Sequence, residues 1–113
     1  MRYAMRKDLN DSEITEAVKA AGFSVIDYTK AGLGIPDKLA LKLLPQSNDD
    51  GTEIHFICWL EIKSKNGKLS EIQQNARQVW EPRGEWIEAR TPEQTVKDLH
   101  ERYNAKIKQE CAR

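Results

Sequence analysis

The sequence predicts a mixed α/β domain, a sheet flanked by helices in the order α-β-β-β-α-β-α. Three observations predict it. Three segments carry apolar residues at helical spacing, each bounded by capping or breaking residues. Four intervening runs are rich in β-branched, aromatic or alternating apolar residues. A polar turn segment over residues 45–52 separates two runs of similar length, as a hairpin requires. At 113 residues the chain fits one domain, with a core large enough to need no staples.

In the first helix Ile14, Ala17, Val18 and Ala21 share a face. Asn10, Asp11 and Ser12 offer N-cap chemistry and Gly22 a stop, so Arg2, Arg6 and Lys7 are expected in a basic arm over residues 1–9. Residues 23–29 read as a strand, and a loop with Gly32, Gly34 and Pro36 follows. From Asp37 to Leu44, leucines at 39, 41 and 43 alternate with Lys38, Ala40 and Lys42. Ile54 to Lys63 is apolar on both faces, as in a central strand. Ser70 and Gln73 form a capping box for a helix whose apolar face is Ile72, Ala76, Val79 and Trp80, ended by Pro82 and Gly84. Residues 85–90 form a short strand. Thr91, Pro92 and Gln94 then supply a cap, a proline at N1 and a capping-box glutamine for a last helix along Val96, Leu99, Tyr103 and Ile107. A polar tail is expected over residues 104–113.

Lys plus Arg and Asp plus Glu both count 18, so the formal net charge is zero. A basic whole-protein field for nucleic acid is thereby excluded, and any such surface is a local patch. Balanced charge favours self-association or a partner protein. Cys58 lies in an apolar run and Cys111 in the polar tail; their spacing suggests neither a disulfide framework nor zinc. The opening residues lack an apolar signal region, and no run is long enough for a membrane span. A cytoplasmic location with reduced thiols is expected.

The chemistry is expected in the hairpin. Directly opposed residues of an antiparallel pair have numbers with a constant sum. A register centred on Asp49 gives 44 + 54 = 98 and also 37 + 61 = 98. Asp37 would then face Glu61, with opposed Cβ atoms about 4.5–5.5 Å apart. Two carboxylates that close repel unless a cation sits between them. Lys63 lies two residues past Glu61 and shares its face, and the Ile62 carbonyl could add a backbone ligand. Magnesium takes one or two carboxylates, keeps several waters and completes its shell with phosphate oxygens. It acidifies bound water and stabilises charge on phosphate, and a nearby lysine orients the water or neutralises developing charge. The set suits phosphodiester hydrolysis with Mg²⁺ or Mn²⁺.

Pro36-Asp37 followed by Glu61-Ile62-Lys63 resembles the PD-(D/E)xK signature of the restriction-endonuclease-like nucleases. An acidic residue on a first helix, Gly34-Ile35-Pro36-Asp37, the Glu-x-Lys, and then Gly67-Lys68-Leu69-Ser70 with Gln73 follow in the order of the small stand-alone VRR-Nuc nucleases, often phage-encoded. The likeness spans roughly residues 6–90. It implies a restriction-endonuclease-like core and a divalent-metal-dependent DNA endonuclease, with a structure-specific, Holliday-junction-resolvase-like preference among its options. It implies Asp37 and Glu61 as metal ligands, Lys63 as the catalytic lysine, and Glu13 and Gln73 as further site residues. Branched or duplex DNA, a second copy of the chain, and a helicase or other replication or repair protein are the implied partners. The location would be the host cytoplasm if the chain is phage-encoded.

Each residue also has a plainer role. Asp37 suits a turn after proline, Glu61 and Lys63 an exposed cross-strand pair, Gln73 the cap alone, and Glu13, like Asp11, the favourable end of a helix. Lys65, Lys68 and Arg77 could contact phosphates or simply be solvated. Trp59, Trp80 and Trp86 read as core or interface, with Trp59 on the Glu61 side of its strand. The alternative function is a catalytically silent nucleic-acid-binding or protein-interaction module on the same fold.

Overall fold

A computed structural model describes residues 2–31, 34–64 and 66–112, and the backbone alone for residues 2–9. Its elements are α1 (Arg2–Ala20), β1 (Ser24–Asp27), β2 (Lys38–Ser47), β3 (Glu53–Ile62), α2 (Glu71–Trp80), a 3₁₀ turn (Glu81–Arg83), β4 (Trp86–Ala89) and α3 (Pro92–Cys111). The strands form one mixed sheet in the order β1-β2-β3-β4, antiparallel except for the β3–β4 pair. The parallel pair needs a crossover, which α2 and the 3₁₀ turn supply.

The hairpin register is the expected one. Pairs from Lys38↔Leu60 to Leu43↔His55 all sum to 98. A bulge between Leu43 and Ser47 shifts the remainder to Ser47↔Glu53, so the expected pairing of residues 44 and 54 is lost there. Gly51, at φ +86°, takes the left-handed position of the turn.

Alternation along β2 is real, but the more buried face is that of Lys38, Ala40 and Leu44, not that of the leucines at 39, 41 and 43. Ala40 and Leu44 pack with Phe56, Cys58, Leu60 and Ile62 of β3, Ile87 and Ala89 of β4, Ile14 and Val18 of α1, and Leu99 of α3. On the other face Trp59 meets Tyr28 and Trp80 of α2, with ring centroids 5.3 and 6.0 Å apart. α2 has no buried residue, and Ile72 and Val79 stay exposed. The helix meets the sheet through Gln73, Arg77 and Trp80, and Ile72 and Val79 of its apolar face stay open.

Both end segments differ from expectation. α1 continues back to Arg2, through the residues expected as a basic arm, and α3 runs through the expected polar tail to Cys111. Asn10, Asp11 and Ser12 therefore lie inside α1 and do not cap it. Asn10 and Asp11 have tertiary partners instead, described below. The capping boxes of α2 (Ser70, Gln73) and α3 (Thr91, Gln94, with Pro92 at the start) form as expected.

Candidate functional site

Asp37 immediately precedes β2, and Glu61 is one residue before the end of β3. Both are buried, at 6 % and 1 % exposure. The last ladder pair, Lys38↔Leu60, puts Asp37 and Glu61 opposite each other one step further on, on one face of the sheet. Asp37 Oδ2 accepts a hydrogen bond from the Ile62 N–H at 3.0 Å. That side chain takes the place the next ladder partner would fill. The partner is Pro36, which is itself buried and has no N–H to give to the Ile62 carbonyl. The proline thus ends the pairing beside the Ile62 carbonyl. On the β1 side, the Tyr28 N–H holds the Asp37 carbonyl at 2.8 Å.

Gln73 combines its two expected roles. Its side-chain oxygen accepts from the Ser70 N–H at 2.9 Å, and its Nε2 donates to Glu61 Oε2 at 3.3 Å. The capping box fixes the amide's orientation, so the NH₂ end has to face Glu61. Lys63 is half-buried, and its backbone is held from both sides. Its N–H donates to Ala89 O at 3.0 Å, and Asn10 Nδ2 donates to its carbonyl at 2.9 Å. A Cβ on Gly67 would lie 3.5 Å from Lys63 Cδ and 3.1 Å from Ser64 Oγ, so the loop after β3 lies against the lysine stem.

Glu13 is exposed and joins none of these contacts. Its neighbour Asp11 is the acid that α1 turns toward the sheet. Lys38 Nζ lies 3.1 Å from Asp11 Oδ1 and 2.9 Å from Asp27 Oδ2, tying α1, β1 and β2 together next to Asp37. Burial alone would lower the Lys38 pKa, but hydrogen bonds to Asp27 and Asp11 outweigh it and the net shift is upward. The Asp27 carboxyl is held well below the usual range, first by the Thr29 side-chain and backbone donors and then by Lys38.

Lys68 and Arg77 line a groove beside this cluster. Lys65 lies outside the described residues. His55 and His100 are exposed, and the His100 ring leans on Phe23 at 5.7 Å. Asn10, Lys38 and Glu88, the β4 register partner of Glu61, were not singled out from sequence. Asn10 carries cap propensity and Lys38 falls in the alternating pattern of β2, so the sequence shows neither contact. The parity of Glu88 with Trp86 was the one available signal for its side of the sheet.

Among the described residues no group of three or more His, Cys, Asp or Glu is arranged to hold a metal. Two facing carboxylates and a carbonyl without a proline N–H fit a hard cation that keeps several waters, which is how magnesium binds. They do not fit an all-protein cage. No described helix is long and apolar enough to cross a membrane. Compared with known proteins, the chain matches no family model, no curated protein and no solved structure.

Proposed function

We propose that this protein is a divalent-metal-dependent DNA endonuclease of the PD-(D/E)xK kind, with a restriction-endonuclease-like core. The observation that carries the reading is the meeting of Asp37 and Glu61 at one sheet end, both buried, with Lys63 two residues on and Gln73 bonded to Glu61.

Asp37, Glu61 and the Ile62 carbonyl would hold Mg²⁺ or Mn²⁺. The ion, when bound, supplies positive charge that polarises phosphate and acidifies water. Gln73 is a positioning residue that fixes the Glu61 carboxylate. Asn10 positions Lys63 through its carbonyl. The Lys63 ammonium donates hydrogen bonds to the attacking water or to a phosphate oxygen on which charge develops. Glu13 could contribute only by reaching in from an exposed position. In the hydrolysis, the water oxygen bonds to phosphorus as the bond to the leaving oxygen breaks.

The test is cleavage of labelled linear duplex, single strand, flap and four-way junction in Mn²⁺, Mg²⁺ or EDTA, with wild type beside Asp37→Ala. Metal-dependent cuts that vanish in a folded Asp37→Ala support the reading, and the preferred substrate decides between a general endonuclease and a resolvase. Cleavage that survives the substitution refutes it.

A further inference from the structure

Between α2, the loop after β3 and the end of β4 lies a groove of about 820 Å³, lined by Lys68, Gln74, Arg77, Glu81, Glu88 and Arg90 among others. It is continuous with the candidate site in two ways. Gly67, at its rim, lies against the Lys63 stem. Glu88, on its floor, is the ladder partner of Glu61 and projects from the same face.

Glu88 gathers both arginines. Arg90 places Nε and Nη2 on Glu88 Oε2, while its Nη1 donates to Ser64 O. Arg77 Nη1 lies 3.8 Å from Glu88 Oε1, and its Nε sits 3.1 Å from both Glu81 oxygens. The Arg77 guanidinium also lies over the Trp86 ring, 5.3 Å from its centroid. Hydrogen bonding to Glu81 raises the Arg77 pKa further, so its charge is permanent. Two guanidinium groups are thus held in place before any ligand arrives. A guanidinium has five N–H donors, and contacts through Nε and Nη1 leave the Arg77 Nη2 edge for an incoming oxygen. Lys68, Arg77 and Arg90 against Glu81 and Glu88 leave one positive charge in excess, although the whole chain sums to zero. Two glutamine amides and five charged side chains lie among the lining residues, which gives an anion donors to meet.

We propose that this groove binds the phosphodiester backbone of the nucleic-acid strand flanking the cleaved phosphate. Arg77 donates through Nη2, Arg90 and Lys68 supply positive charge, and Glu88 positions both arginines. The proposal rests on the nuclease reading and adds the track that the strand follows, away from Glu61 along β4.

The experiment measures binding of a labelled oligonucleotide duplex and single strand in EDTA, across a salt series, for wild type, Arg77→Gln and Arg90→Gln. Each Gln variant is expected to bind about tenfold more weakly at low salt and to lower the magnitude of the salt slope by about 1. Arg77→Lys and Arg90→Lys should restore the slope, because the charge returns without the fork. Folded Gln variants with wild-type affinity and slope overturn the groove, as does a wild type that binds neither oligonucleotide. Cleavage by the same variants separates the two ideas. Metal-dependent cutting with an unchanged KM in the Gln variants leaves the nuclease and removes the groove. Weakened binding without any cutting by wild type removes the nuclease and keeps the groove as a nucleic-acid site.

Discussion

Lys38→Met tests the link between α1 and the strand that carries Asp37. The substitution removes the ammonium and keeps an unbranched apolar stem. The Lys38 side chain is 7 % exposed, Asp11 15 % and Asp27 65 %. Removing one member of a buried ion pair costs about 3–5 kcal/mol, whereas an exposed pair contributes about 0–1 kcal/mol. The Asp11 half lies near the buried limit and the Asp27 half near the exposed one. Asp11 also keeps a hydrogen bond from the Thr15 hydroxyl at 3.1 Å, and Asp27 keeps its bond from the Thr29 N–H at 2.8 Å. Together these place the loss at about 2–3 kcal/mol, below the fully buried case. With about 2.1 cal/mol/K of unfolding entropy per residue, a chain of 113 residues loses about 4 °C of melting temperature per kcal/mol, so the expected drop is about 8–12 °C. Urea denaturation should show a lower midpoint at unchanged slope. Adding Asp11→Asn should recover part of the loss by removing the stranded carboxylate. Because the Lys38 pKa is raised from 10.5 in the fold, its contribution is complete below that pH. It fades as pH rises through the folded value, so wild type and Lys38→Met should converge in strong alkali. A loss under about 0.5 kcal/mol with a native spectrum would refute the claim that the buried ammonium ties α1 to the sheet.

Three further outcomes follow from single contacts. Gly34 has φ +81°, and a Cβ there would stand 2.1 Å from Ile72 Cγ2. Gly34→Ala should cost more than the about 1–2 kcal/mol of backbone strain in a melt, and Ile72→Ala in the same chain should relieve the clash and leave that strain. The depressed Asp27 pKa stabilises the fold above the ordinary 3.8 and is lost as pH falls toward the folded value; acid titration of stability should therefore be shallower below about pH 4 in Asp27→Asn. Burial pushes the Cys58 thiol up to about 12 while Cys111 is exposed, so a thiol reagent at pH 8 should label Cys111 promptly and Cys58 only on unfolding.

The order of elements along the chain, the caps of α2 and α3 and the hairpin register over residues 38–43 were legible because each rests on local chemistry. Ser70 with Gln73 and Thr91 with Gln94 cap whatever the rest of the chain does. Next to the turn the pair Ser47↔Glu53 sums to 100, and the bulge between residues 43 and 47 sets the sum of 98 that holds from Leu43↔His55 to Lys38↔Leu60. What sequence did not disclose depends on partners distant in the chain. Asn10 and Asp11 looked like caps because local propensity favours them there, yet their side chains are claimed by Lys63 O and Lys38 Nζ. The buried face of β2 was hidden because Lys38 is made tolerable inside by two acids, one from α1 and one from β1. Within the site, the facing of Asp37 and Glu61 was readable from numbers alone, and the double use of the Gln73 amide was readable in halves. Glu88 was not, because a parallel partner is brought in by the α2 crossover and no turn arithmetic reaches it.

The most direct measurement pairs Mn²⁺ binding, by calorimetry, with single-turnover DNA cleavage on wild type, Glu61→Gln and Lys63→Ala. The expected result is that wild type binds the ion and cuts, Glu61→Gln loses both, and Lys63→Ala keeps binding and loses cutting. Folded wild type that neither binds Mn²⁺ nor cuts any DNA, or a Lys63→Ala that cuts at the wild-type rate, would contradict the account.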